Sequence, residues 1–145
     1  MAEARRVLFV CVHNAGRSQM AEAILNHEAR AQNLPIHAKS AGTVGGKAVN
    51  PQAMEALAEI GVPTDGLVPK FITPELVAEA DHIISMGCGV DAEACPTRFM
   101  LTEDWGLDDP SGQPLDTVRV IRDQIRGHVR EFLARIQSGT DSPAS

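Results

Sequence analysis

Arg5-Arg6-Val7-Leu8-Phe9-Val10 runs directly into Cys11-Val12-His13-Asn14-Ala15-Gly16-Arg17-Ser18, and the reading of that junction decides the fold. The stretch from 7 to 10 is apolar without polar alternation, the pattern of a strand buried on both faces. It ends abruptly in a polar, glycine-containing stretch. Beyond it, Ser18 is placed to cap a helix over 18–31, with Met20, Ala21, Ile24 and Leu25 at helical spacing.

Further along, residues 36–39 form a short strand candidate that runs into Ser40-Ala41-Gly42. Asn50-Pro51 opens a second helix, with Met54, Leu57, Ala58 and Ile60 on its apolar side and Gly61 closing it. Pro74 begins a third helix to about 80. Strands follow over 82–86 and 99–101. From Leu115, the apolar positions Val118, Ile121, Ile125, Val129, Phe132 and Ile136 advance in steps of three and four, which predicts an amphipathic helix of about six turns. The segment 138–145 is polar with Gly and Pro and is expected to be a disordered tail after a single domain over 1–137. Strands alternating with helices predict an α/β fold with a parallel sheet covered on both faces. Ligands bind such sheets beyond the carboxyl ends of the strands, which is where Cys11 falls.

A cysteine and an arginine six positions apart, bridging a strand end and a helix N-terminus, make an oxyanion cradle. Loop N–H groups converge, the helix dipole favours negative charge, and Arg17 can grip two oxygens at once. Val12, His13, Asn14, Ala15, Gly16 and Arg17 are the expected binding segment. The same field favours a thiolate, so Cys11 is the expected nucleophile. Ser18 can hydrogen-bond its sulfur and help it depart. A buried strand cysteine beside a surface arginine is the plainer alternative, but it leaves the register of strand, Cys-x5-Arg-Ser and helix unexplained.

Composition narrows the classes. Thirteen Lys+Arg against nineteen Asp+Glu give a net charge of −6, with no basic cluster, which argues against nucleic acid or an anionic membrane as the partner. The longest apolar run near the N-terminus, from Val7 to Val12, is too short for a signal h-region or a spanning helix. Three cysteines in 145 residues do not read as a secreted disulfide framework. A cytoplasmic protein is expected, and nothing demands more than a monomer.

Cys88 and Cys95 stand in Met86-Gly87-Cys88-Gly89-Val90-Asp91-Ala92-Glu93-Ala94-Cys95-Pro96, directly after a strand. Gly87 and Gly89 give the backbone around Cys88 freedom to move. Taken alone, the pair reads as incidental buried cysteines or, less well, as metal ligands. The metal reading lacks a fourth ligand and the tighter Cys-x2-Cys spacing, so no metal is expected.

The run from Cys11 to Glu22 resembles the phosphate-binding loop of low-molecular-weight tyrosine phosphatases and their relatives, the arsenate reductases. The resemblance continues through Ser40-Ala41-Gly42-Thr43, Asn50-Pro51 and Glu103-Asp104-Trp105-Gly106-Leu107-Asp108-Asp109-Pro110 into the last helix. It implies the low-molecular-weight phosphatase-like three-layer fold, a four-stranded parallel sheet flanked by helices with the loop at its centre. Gln19 stands where the phosphatases usually carry proline and the arsenate reductases glutamine. Asp109-Pro110 matches the general-acid motif of the phosphatases, with Asp108 as the alternative acid. The chain has no Tyr, so walls for a phosphotyrosine ring are poorly supplied, and a small oxyanion such as arsenate, phosphate or sulfate fits better.

The thioredoxin-coupled arsenate reductases carry a cysteine pair with this gap at this place in the chain. The resemblance therefore implies a Cys11–Cys88–Cys95 relay that reduces arsenate to arsenite for arsenic detoxification. Thioredoxin or another thiol reductant recycles it, with electrons from NADPH. A low-molecular-weight protein tyrosine phosphatase is the alternative, and weak phosphatase activity is expected even of the reductase. The 87–96 segment must travel in such a relay. Around the loop, Asn14 is expected to lock a left-handed turn with Ser40 as partner. His13 either faces solvent or touches the anion or an incoming partner, and Trp105 is expected simply to pack. Some arsenate reductases bind potassium with residues like Asn14, Glu22 and Ser40 plus an aspartate whose place falls near Lys70 here. An ammonium at Lys70 paired with Glu22 would take the cation's role, so no potassium requirement is expected.

Overall fold

The apolar run at the N-terminus is the centre of the sheet. In the computed structural model, which describes residues 5–11, 16–42, 49–64, 66–86, 103–107 and 112–137, β1 spans Arg5–Cys11 and is paired on both sides. Its neighbours are β2 (Ile36–Gly42) and β3 (His82–Ser85), both parallel to it, and β4 (Glu103–Asp104) adds outside β3. The order is β2-β1-β3-β4, a four-stranded parallel sheet.

Both faces of β1 are covered, which is why its sequence does not alternate. Val7, Phe9 and Cys11 belong to the larger core, which lies under α1 (Arg17–Ala31), α2 (Pro51–Glu59) and α4 (Leu115–Gln137). Leu8 and Val10 face the smaller core with Ala41, Ile72 and Ile83, closed by Leu76, Val77 and Ala80 at α3 (Pro74–Glu79). Val118, Ile121, Ile125, Val129 and Phe132 of α4 are buried as their spacing predicts, joined by Leu133.

Several expectations are corrected. Ser18 does not cap α1: the helix begins at Arg17 with Gly16 in the cap position and no side-chain cap, because the Ser18 hydroxyl is engaged with Cys11. In α2, Asn50 does cap, accepting from the Gln52 amide at 2.9 Å. Its buried face, however, is Ala53, Ala56 and Leu57, and Ala58 is exposed. Small alanines let this short helix lie close to α1 and α4, which turns Ala58 outward. β2 extends three residues past Lys39. The strand expected at 99–101 and the tail 138–145 lie outside the described residues, and the fourth strand described is Glu103–Asp104.

β2 is the edge strand on one side. There, the Asn26 side chain of α1 accepts from the Ala38 amide at 2.8 Å and donates to the Ala38 carbonyl at 3.0 Å.

Candidate active site

Cys11 is the last residue of β1, 3% exposed, and Ser18 lies in the first turn of α1. Cys11 Sγ and Ser18 Oγ are 2.9 Å apart. A hydroxyl this close can hydrogen-bond the sulfur.

Arg17, adjacent to Ser18, is buried and directed across the carboxyl end of the sheet. Its Nη1 donates to the Leu107 carbonyl at 2.8 Å and to the Met86 carbonyl at 3.4 Å. The Leu107 amide donates to the same Met86 carbonyl at 3.2 Å. Met86 immediately precedes the segment that holds Cys88, and Leu107 immediately precedes Asp108 and Asp109. The arginine is thus tied to the points where both of those segments leave the sheet.

On the β2 side, the site is braced by polar groups. The Ser40 hydroxyl donates to Glu22 Oε1 at 2.7 Å, and Lys70 Nζ lies 3.4 Å from the same oxygen. Lys70 Nζ also donates to the Val68 carbonyl at 3.2 Å, and Gln19 Nε2 donates to that carbonyl at 2.7 Å. The backbone completes this brace, with Gly42 donating to the Lys70 carbonyl and Ile72 to the Gly42 carbonyl. Gly42 pairs with Cys11 in the ladder, so the 68–72 strap is fastened beside Cys11.

On the opposite side, the brace is aromatic. Trp105, 5% exposed, has its ring centroid 5.1 Å from Phe9 and 6.5 Å from Phe132, and it stacks on His128 at 5.0 Å and 11°.

The sequence pattern of the low molecular weight phosphotyrosine protein phosphatases matches residues 6–141. The chain belongs to that family. Among its relatives, a putative arsenate reductase of Halobacterium salinarum is 35% identical over 126 residues, covering 83% of this chain and 85% of the relative. A glutaredoxin arsenate reductase of Synechocystis is 32% identical over 133 residues, covering 91% and 98%. The structure of a thioredoxin-dependent arsenate reductase of Corynebacterium glutamicum superposes with a TM-score of 0.75 at 35% identity. The alignment covers 95% of this chain and 64% of that one, so this chain spans just under two thirds of that protein's length.

Of the residues singled out from sequence, this member of the phosphatase family brings together Cys11, Gly16, Arg17 and Ser18 at one sheet end, with Glu22, Ser40 and Lys70 behind them. Val12, His13, Asn14, Ala15, Cys88, Cys95, Asp108 and Asp109 lie outside the described residues. The described residues contain no His/Cys/Asp/Glu group able to hold a metal ion and no helix long and apolar enough to cross a membrane.

Sequence reading missed two contacts. The donation from Gln19 to Val68 joins residues 49 positions apart, which no local pattern signals. The His128 contact did leave a trace: 121, 125, 128 and 132 continue the three-four spacing of the buried face of α4, with a histidine at one of those positions.

Proposed function

We propose that the chain reduces arsenate to arsenite, and one observation carries that reading. The Cys11 sulfur sits 2.9 Å from the Ser18 hydroxyl, while Arg17 of the same turn reaches the points of departure toward Cys88 and Asp109. Nucleophile, anion grip and the roots of the redox and acid segments meet at one place.

The first step places arsenate in the 11–18 loop, its charge met by loop amides, the helix N-terminus and the Arg17 fork. Cys11 thiolate attacks arsenic; a sulfur–arsenic bond forms, and an arsenic–oxygen bond breaks as Asp109 protonates the departing oxygen to water. Next, Cys88 thiolate attacks the Cys11 sulfur. A Cys11–Cys88 disulfide forms, the sulfur–arsenic bond breaks, and its electron pair stays on arsenic, which leaves as arsenite. Two thiols have supplied the two electrons. Cys95 then attacks Cys88, freeing Cys11 as thiolate and leaving Cys88–Cys95 for an external dithiol.

The paired cysteines favour thioredoxin, charged by NADPH, over a low-molecular-weight thiol. Of the three named relatives, one is described as thioredoxin-dependent and another as a glutaredoxin arsenate reductase. The chain acts as one domain over 1–137, as a monomer and in the cytoplasm. Because phosphate shares the shape and charge of arsenate, the same loop supports weak phosphoester hydrolysis.

Arsenate-dependent NADPH oxidation with thioredoxin and thioredoxin reductase tests the reading. Sustained consumption is expected in the wild type and none in Cys88→Ser, while hydrolysis of a small phosphoester survives that substitution. Hydrolysis without any reduction in the wild type would instead make the chain a phosphatase.

A further inference from the structure

The stack of His128 on Trp105 lies outside the sheet end, yet it is linked to the anion site through short backbone contacts. The Trp105 amide donates to the Ser85 carbonyl at 2.9 Å, and the Leu107 amide donates to the Met86 carbonyl at 3.2 Å. Between them, Gly106 takes φ +46°, a left-handed conformation that glycine adopts without a Cβ penalty. The turn presents the Leu107 carbonyl to Arg17 Nη1 at 2.8 Å. That carbonyl therefore sits on a three-residue segment whose two large side chains, Trp105 and Leu107, are both buried in the larger core.

Three rings hold the indole. Phe9 is tilted at 55° and Phe132 at 65°. Only His128, of these three, lies nearly parallel, at 11°. A flat contact is favourable in either protonation state, as an offset stack when the imidazole is neutral and as a cation over a π face when it is charged. It also opposes tipping of the indole out of its plane on that face. His128 is half-buried and one turn before Phe132 on α4, so the longest helix of the chain sets where it stands.

We propose that His128 is a positioning residue for the oxyanion grip: by fixing the Trp105 plane, it fixes the Leu107 carbonyl and through it the Arg17 guanidinium. The proposal rests on the reading of the 11–18 loop as an oxyanion site and is independent of the redox relay. Loss of the flat ring weakens anion binding while leaving the Cys11–Ser18 pair, on the other side of Arg17, as it is.

Inorganic phosphate is the probe. Alkylation of Cys11 by iodoacetamide is followed by mass spectrometry of its peptide at rising phosphate, in the wild type and in His128→Ala, His128→Leu and His128→Phe. The half-protecting phosphate concentration is expected to rise three- to tenfold in His128→Ala and His128→Leu and to return to within twofold of wild type in His128→Phe. The alkylation rate without phosphate stays within twofold throughout. Emission from Trp105, the sole tryptophan, shifts in the Ala and Leu variants and moves back toward wild type in Phe. Unchanged protection in His128→Leu, which keeps the side chain large and apolar, overturns the proposal, as does a failure of Phe to restore protection. A wild type that phosphate does not protect overturns the oxyanion reading itself.

Discussion

Cys11 and Arg17 are flanked on two sides by different physics. Toward β2, the brace is polar, with Ser40, Glu22 and Lys70 converging on one carboxylate oxygen and Gln19 and Lys70 on one carbonyl. Toward β4, it is aromatic, with Phe9, Trp105, His128 and Phe132 in ring contact. The polar brace works through direction. Its ion pair is half-exposed, at 32% and 15% for the two side chains, and such pairs contribute little net stability and weaken with salt. The aromatic brace works through buried area, which salt does not screen. A fold with so few aromatics, four Phe and one Trp in all, has placed three of them beside the segment that receives Arg17. Groups that must be aimed are held by polar contacts, and groups that must not move are held by packing.

The largest effect comes from breaking the aromatic side. Trp105→Ala removes the centre of the ring cluster and is expected to cost about 3–5 kcal/mol of stability, as large-to-small core substitutions do. Urea unfolding checks this, and the loss stays nearly constant between low and high salt. A salt-dependent loss would mean that the two sides do not differ as described.

Breaking the polar side has a smaller effect. Lys70→Met removes one charge of a partly exposed pair and is expected to cost under about 1 kcal/mol at low salt and less at high salt. Its clearer signature is functional. With Lys70 present, arsenate turnover is expected to be equal in potassium and sodium chloride, because the ammonium stands 3.4 Å from Glu22. Strong potassium activation of the wild type would remove the cation role given to Lys70.

A charged cluster away from the loop sharpens the contrast with the smallest effect. Glu59 of α2 accepts from Arg119 and Arg122 of α4. The hydrogen bond from Arg119 is the main reason its carboxyl is held below the usual range, with burial opposing it and Arg122 adding to it. A carboxyl with a lowered folded pKa contributes stability above its unfolded value, about pH 4.3 for Glu. That contribution is lost as pH falls through the folded value. Glu59→Gln is therefore expected to lower the melting temperature slightly at pH 7, with the difference from wild type closing as the pH falls through and below the unfolded value. Melting curves across that range check the sign.

Much of this was legible in the sequence, and the exceptions have physical causes. β1 and α4 announce themselves because burial imposes a pattern on the residues they contain. β4 does not: Glu103–Asp104 is a two-residue strand of poor β-formers, held by a ladder partner on β3 that no local pattern reveals. Cys11, Arg17 and Ser18 were legible because one turn of chain assembles them. Ser18 reads in sequence both as a helix cap and as a partner of the Cys11 sulfur, and only the second role is met. Lys70 beside Glu22 was reached through the family resemblance. The pairing of Trp105 with His128 had no such guide, since only the folded chain brings those two rings together.

The Asn26 side chain has a further consequence for how copies of this chain behave toward one another. By occupying both the donor and the acceptor of Ala38, it takes the middle of the outer margin of β2, while the 70–72 strap takes Gly42 further along. An open margin of that kind invites another chain to extend the sheet. An amide on a neighbouring helix thus leaves less of that margin for another chain to pair with.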